Sequence, residues 1–187
     1  MPAGAARNAV DCALWDLRAK QRGVRAWELA GLPEPRPVVT AFTIGLGSAS
    51  EVRRKAAAAS KHPLLKLKVD ASSPVDLIRA VRDEAPNARL IVDANEGWTM
   101  ATLERVAPQL AAQGVELIEQ PLPRRHDADL ERFPSPVPLC ADESCTDRSS
   151  LARLRGRYQA VNIKLDKTGG LTEALALARA ARDAGLD

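Results

Sequence analysis

Leu64-Leu65-Lys66-Leu67-Lys68 is a short apolar run closed by lysine, and four more runs of this kind follow it. Leu90-Ile91-Val92-Asp93, Leu117-Ile118-Glu119 and Leu139-Cys140-Ala141-Asp142 end in acids, and Val161-Asn162-Ile163-Lys164 ends again in lysine. From Lys68 onward the closing residues are spaced by 25, 26, 23 and 22 positions. A strand, a crossover helix and two short connections fill a span of about that length. The repeat therefore predicts parallel βα units with one ionisable side chain at the carboxyl end of each strand, the face on which βα barrels keep their chemistry. The two charge types are also sorted, with three carboxylates in the middle and lysines on either side. That order points to a cation bound by carboxylates between two ammonium acid/bases.

Outward from this repeat the rest of the chain can be divided. Residues 5–22 predict a helix with Val10, Ala13, Leu14 and Leu17 on one apolar face and Gly23 as its stop. A helical turn at 27–30 ends at Gly31, and Pro33, Pro35 and Pro37 make 32–37 an extended linker. Strands are expected at 38–46, 64–69, 89–93, 115–119, 137–142 and 160–165. Helices are expected at 50–60, 74–84, 100–113, 128–133, 147–153 and 171–184, with Ser73 as an N-cap before Pro74. Such alternation gives a parallel sheet. Gly45-Leu46-Gly47 lacks the third glycine and acidic partner of a dinucleotide-binding turn, which argues against a doubly wound sheet. The expected fold is a TIM-like α/β barrel with about six of the eight βα units of a closed barrel. The chain thus reads as truncated at both ends.

Composition narrows the function. A chain of 187 residues, 45% hydrophobic and 27% charged, suits one main globular unit. Twenty-seven basic against 24 acidic residues leave a charge of only +3, dispersed along the chain, and two Phe and one Tyr offer few stacking platforms. Nucleic-acid binding is therefore not expected. Cys12, Cys140 and Cys145 are odd in number and lack a CxxC spacing, as in a reduced cytoplasmic protein. His62 and His126 are the only histidines, too few for a histidine-rich zinc or iron site, and His126 falls in a charged loop. No apolar run reaches membrane-spanning length and no signal peptide is legible, so the expected compartment is the cytoplasm, with no membrane partner.

The chemistry follows from the sorted charges. Asp93, Glu119 and Asp142 would repel one another unless a cation sat between them, and oxygen-only ligands favour Mg²⁺. Lys66 and Lys68 alternate with Leu65, Leu67 and Val69, so both lysines share one face of their strand. Asn162, Lys164 and Asp166 share a face of the last strand in the same way. Lysines close to one another and to a divalent cation should have depressed pKa values, as a general base requires.

These motifs carry a resemblance. Lys66-Leu67-Lys68, Asp93-Ala94-Asn95, Glu119-Gln120-Pro121, Asp142-Glu143-Ser144 and Asn162-Ile163-Lys164-Leu165-Asp166-Lys167-Thr168-Gly169-Gly170 resemble the enolase superfamily, muconate-lactonising subgroup. The last segment resembles the Ala-Glu type of dipeptide epimerase. Residues 8–20 resemble the last long helix of that family's capping domain. The resemblance implies that 1–36 is a capping-domain remnant with its linker and that 37–187 is part of the catalytic barrel. It implies Asp93, Glu119 and Asp142 as ligands of one Mg²⁺ and Lys68 and Lys164 as the acid/bases. Lys66 would lower the pKa of Lys68 and neutralise the enolate. Asn95, Glu143, Thr43 and Asp166 would support the site or contact substrate. The implied reaction is epimerisation of an L-Ala-D/L-Glu-like dipeptide, a small-molecule substrate, by a protein that is a homo-oligomer at full length. A lysine or histidine base working with Mg²⁺ is already established for this superfamily, and the implied set agrees with it. A muconate cycloisomerase, or an o-succinylbenzoate synthase/N-acylamino acid racemase, would share these lysines and acids. A fragment without activity is the reading from another class.

Overall fold

A computed structural model describes residues 1–187. Its centre is a six-stranded sheet, every strand parallel to its neighbours and placed in sequence order. The strands are β1 (Phe42–Ile44), β2 (Leu64–Lys68), β3 (Arg89–Asp93), β4 (Val115–Glu119), β5 (Leu139–Ala141) and β6 (Ala160–Val161). Two helices, α1 (Ala5–Arg22) and α2 (Ala26–Leu29), precede the sheet. The crossovers carry α3 (Ala49–Ala58), α4 (Pro74–Glu84), α5 (Met100–Ala112) and α6 (Leu151–Leu154), and α7 (Leu165–Thr168) and α8 (Leu171–Asp183) follow β6. A 3₁₀ helix, Arg124–Leu130, stands in place of an α-helix between β4 and β5. A second, Arg148–Ser150, runs into α6.

Side-chain alternation decides which face is packed. Leu65, Leu67 and Val69 are buried against the helical layer, while Lys66 and Lys68 lie on the opposite face. Leu90, Val92 and Ile118 continue the packed face and meet Ile78 of α4 and Leu103 and Val106 of α5 in one core. The β3–β4 pairing contains a shift: Leu90 pairs with Val115, but Ile91 pairs with Leu117. This one-residue bulge sets Asp93 opposite Glu119. Without it Asp93 would face Ile118, since a slip of one residue exchanges the two faces of a strand.

Several elements depart from the periodicity, each for a local reason. β1 is three residues long, and Val38 and Val39 are exposed. Phe42 pairs with Leu65, so Thr40 would face Pro63, which has no N–H to donate. β6 ends at Val161 because the amides of Lys167 and Thr168 both donate to the Lys164 carbonyl, turning the chain into α7. Ser73 precedes Pro74 of α4 as expected, yet its side chain accepts no capping bond. Arg124–Leu130 closes before Phe133 as a 3₁₀ helix, in a Pro-rich segment. His126 sits in it, exposed beside Asp129. All three cysteines are free, and no helix is long and apolar enough to cross a membrane.

The largest departure is the face by which α1 docks. Val10, Leu14 and Leu17 remain 51%, 48% and 50% exposed, so the apolar stripe is not the packed side. Instead the Asp11 carboxylate accepts from the Thr172 amide (2.9 Å) and hydroxyl (2.7 Å), and Trp15 Nε1 donates to the same hydroxyl (2.9 Å). Asp11 thereby caps the amino end of α8 from 161 residues away. Gly170 permits this approach. Its φ is +128°, and a Cβ there would stand 2.4 Å from the Asp11 side chain.

Gly170→Ala is therefore expected to lower stability by about 1–3 kcal/mol, through backbone strain and a blocked α1 contact. A thermal unfolding midpoint equal to the parent chain's would refute this. The outer edge of β1 and most of that of β6 present unpaired backbone, β6 receiving only Asp187, whose amide and carbonyl bond to Gln159 and Val161. With Phe42 of β1 itself 43% exposed, the 187-residue chain by itself should self-associate. Sedimentation as a monomer at tens of micromolar would count against that expectation.

Candidate active site and metal centre

Sheet pairing carries the ionisable residues into one row. Lys68 pairs with Asp93, Asp93 with Glu119, and Glu119 with Cys140, one residue before the end of β5. Asp142 follows immediately after β5. Asp93, Glu119 and Asp142 are all buried, at 1%, 4% and 1% exposure.

Lysines compensate each acid directly. Lys66 Nζ bridges Asp93 Oδ2 (2.9 Å) and Glu119 Oε2 (2.7 Å). Glu119 Oε1 accepts from Asn162 Nδ2 at 3.0 Å. Lys164 Nζ lies 2.5 Å from Asp142 Oδ2, and Lys167 Nζ lies 2.6 Å from Asp142 Oδ1. Lys68 Nζ stands 3.7 Å from Asp93 Oδ2 and donates to Asn95 Oδ1 at 2.6 Å. Asn95 takes a left-handed conformation, φ +44°, which lets its amide donate back to Asp93 Oδ1 (3.0 Å) while Nδ2 reaches Glu143 Oε1 (3.3 Å).

Beneath the row a neutral side chain fixes the strand ends. Gln120 is fully buried with φ +35°. Its Oε1 accepts from the amides of Asp142 (2.9 Å) and Ser144 (3.1 Å), and Nε2 donates to the Leu122 carbonyl, Ser144 Oγ and Tyr158 Oη. Tyr158 Oη in turn donates to Asp127 Oδ1 at 2.6 Å. Burial and the Asp127 carboxylate together keep this phenol firmly protonated. The end of β4 is thus tied to the backbone that presents Asp142.

Protonation differs from the sequence expectation for two lysines. Burial works to lower the pKa of Lys66, but hydrogen bonds and charge from Glu119 and Asp93 outweigh it and the pKa is raised. Lys164 behaves likewise: burial lowers its pKa, but hydrogen bonding and charge from Asp142, with charge from Glu119, leave it raised. Burial acts to raise the pKa of Asp142, yet bonds from Lys164 and Lys167 hold it below the usual carboxylate range. The expected depression required lysines facing a cation, whereas here each ammonium sits on a carboxylate.

The convergence also takes a different form. As placed, no three acidic, histidine or cysteine side chains form an ion-holding group; Lys66 bridges Asp93 and Glu119, while Asp142 is held by Lys164 and Lys167. The donor set still suits Mg²⁺. It is oxygen-only, buried and at adjoining strand ends, and Glu143 Oε2 beside it is buried without a hydrogen-bond partner. His62 is removed from the row, stacked on Phe42 with ring centroids 4.4 Å apart.

Two further candidates lie away from these contacts. Thr43 is exposed opposite Lys66 and bonds to none of the row. Asp166 is exposed on the first turn of α7 and makes no ion pair or hydrogen bond with the cluster, because the strand expected at 160–165 ends at Val161 and the chain turns into α7. Sequence reasoning gave no role to Lys167 or Gln120. Their only signal was membership in the segments Asn162–Gly170 and Glu119–Pro121.

Known proteins resemble the chain along nearly all of its length. Residues 49–187 match the family described as enolase C-terminal domain-like, and residues 1–31 match the mandelate racemase/muconate lactonizing enzyme N-terminal domain. The L-Ala-D/L-Glu epimerase of Escherichia coli (strain K12) is 50% identical over 189 residues, which cover 99% of this chain and 58% of that protein. An N-acetyl-D-glutamate racemase from Pseudoalteromonas sp is 46% identical, covering 100% of this chain and 59% of its own length. A dipeptide epimerase from Enterococcus faecalis V583, complexed with Mg and the dipeptide L-Leu-L-Tyr, superposes with a TM-score of 0.92 at 31% identity, covering 100% of this chain and 55% of that one. The chain thus spans under three fifths of the curated relatives' length. Its six parallel strands are part of the barrel those enzymes share, and the chain belongs to the enolase superfamily.

Proposed function

We propose that the protein containing this chain is a Mg²⁺-dependent epimerase of an L-Ala-D/L-Glu-like dipeptide. The observation that carries this reading is a division among the lysines. Lys66 and Lys167 have side chains 17% exposed, whereas Lys68 and Lys164 are 40% and 45% exposed at opposite ends of the acid row. Two accessible ammonium groups on either side of one row of acids are what inversion at a carbon requires. In this reading residues 1–36 belong to a capping domain and 37–187 to the barrel.

An α-proton beside a carboxylate is very weakly acidic, so its removal needs positive charge where the new negative charge develops. Asp93, Glu119 and Asp142 would hold Mg²⁺, which when bound supplies that charge to the substrate carboxylate oxygens. Lys66 adds a fixed ammonium beside them. One of Lys68 and Lys164, as the neutral amine, takes the proton from Cα. The other, as the ammonium, delivers one to the opposite face. The reverse epimerisation exchanges their roles. Asn95 orients Lys68 through its 2.6 Å bond, and Glu143 orients Asn95. Lys164 is drawn toward its charged form by Asp142, which suits it to deliver a proton; as the base it would act with Asp142 engaged as a metal ligand.

The relative named as an N-acetyl-D-glutamate racemase supports a second reading, racemisation of an N-acyl amino acid by the same lysines. Assaying L-Ala-L-Glu against N-acetyl-glutamate separates the two.

In the protein expressed from its complete reading frame, Lys68→Ala and Lys164→Ala should each slow epimerisation by at least about 10³-fold. Each variant should keep α-deuterium exchange from one stereoisomer only, as followed by NMR in D₂O. Equal residual exchange from both stereoisomers in Lys164→Ala would contradict two-base catalysis. For the metal, Glu119→Ala is expected to abolish Mg²⁺ binding in calorimetric titration. An unchanged dissociation constant would remove Glu119 from the ligand set.

A further inference from the structure

Asp142 is gripped by two lysines, and their bonding is unequal. Lys164 Nζ has one partner, Asp142 Oδ2, and its side chain is 45% exposed. Lys167 Nζ spends all three donors, on Asp142 Oδ1 (2.6 Å), on the Asp142 carbonyl and on the Asn162 carbonyl (3.1 Å). The two carbonyls lie just past β5 and β6, where the ladder between those strands has ended; its last bond runs from the Asn162 amide to the Ala141 carbonyl. Lys167 thus continues the β5–β6 pairing by one side chain and turns the Asp142 carboxylate so that Oδ2 faces Lys164. It can do so because α7 is a single turn, closed by Gly169 in a left-handed conformation and packed against α1 and α8.

We propose that Lys167 is a positioning residue: it stays on Asp142 Oδ1 and the two carbonyls while Lys164 is free to leave Oδ2. The inference rests on the reading above only in taking Asp142 as a Mg²⁺ ligand. A purely electrostatic view gives the opposite expectation. Both lysines put a positive charge on Asp142, so removing either should ease the approach of a cation. If Lys167 positions the carboxylate, its loss should instead weaken the cation site, as loss of a group that orients a metal ligand does.

Lys164→Gln and Lys167→Gln, each in the protein from the complete reading frame, are titrated calorimetrically with MgCl₂ after a thermal melt confirms folding. Lys164→Gln should bind Mg²⁺ as tightly as the parent protein or tighter, and Lys167→Gln about tenfold or more weakly. Unchanged or tighter binding by Lys167→Gln would overturn the proposal. Should that variant fail to fold, Lys167→Arg keeps the charge, but its planar fork cannot reach the same three acceptors. It too should bind more weakly, and parental affinity in Lys167→Arg would overturn the proposal equally. Deuterium exchange of L-Ala-L-Glu by the parent protein reports on the epimerase reading separately. Its absence would sink that reading and leave the metal comparison intact.

Discussion

Three carboxylates buried at adjoining strand ends cannot stand together uncompensated. Unit charges about 4 Å apart interact by about 4 kcal/mol at an effective dielectric constant of about 20, and burial adds the loss of hydration. Asp93, Glu119 and Asp142 meet this constraint with Lys66, Lys164 and Lys167, placed so that every acid touches at least one ammonium. Much of the carboxyl face follows from it. Lys66 must be on the inner face of β2, α7 must turn back over β6, and Asn162 must present its amide to the second Glu119 oxygen.

The row depends equally on backbone register. The bulge between β3 and β4 places Glu119 rather than Ile118 beside Asp93, and the same shift keeps Ile118 in the core. Gln120 then carries the placement one strand further, its carbonyl oxygen holding the amides of Asp142 and Ser144. Its positive φ is the cost of turning so sharply after β4, and the buried network with Ser144, Tyr158 and Asp127 over-determines it. Packing on the outer face and polar bonding at the strand ends therefore specify the same register by different means.

What could be read in the sequence was what is encoded locally. Short apolar runs and a regular βα spacing place β2 to β5, and the ionisable residues that close them fall where the spacing puts them. What could not be read depends on distant partners. The docked face of α1 is chosen by Thr172 and by Gly170, which no amphipathic pattern in residues 5–22 can report. The short β1 depends on Pro63 lying across from it. Asp166 does not share a strand face with Asn162 and Lys164 because the ladder stops at Asn162, and Lys167 escapes a reading of strand faces for the same reason. A strand continued through 165 would carry Lys167 away from Asp142, whereas a helical turn brings it back.

This dependence on α7 explains how lysines so near in sequence can differ in freedom. Lys164 stands at the N-cap of α7, with its side chain half-exposed. Lys167, three residues on and one helical turn later, points back beneath the same carboxylate. Residues i and i+3 of a helical turn lie on one side of it, so both reach Asp142, but at different depths. Burial goes with the number of acceptors: one carboxylate oxygen for the more exposed Lys164, one carboxylate oxygen and two carbonyls for the more buried Lys167. An ammonium with one partner can exchange it for substrate or solvent, whereas one with three partners gives up all of them if it moves. The fold thereby separates an exchangeable lysine from a fixed one using the same residue type on the same acid.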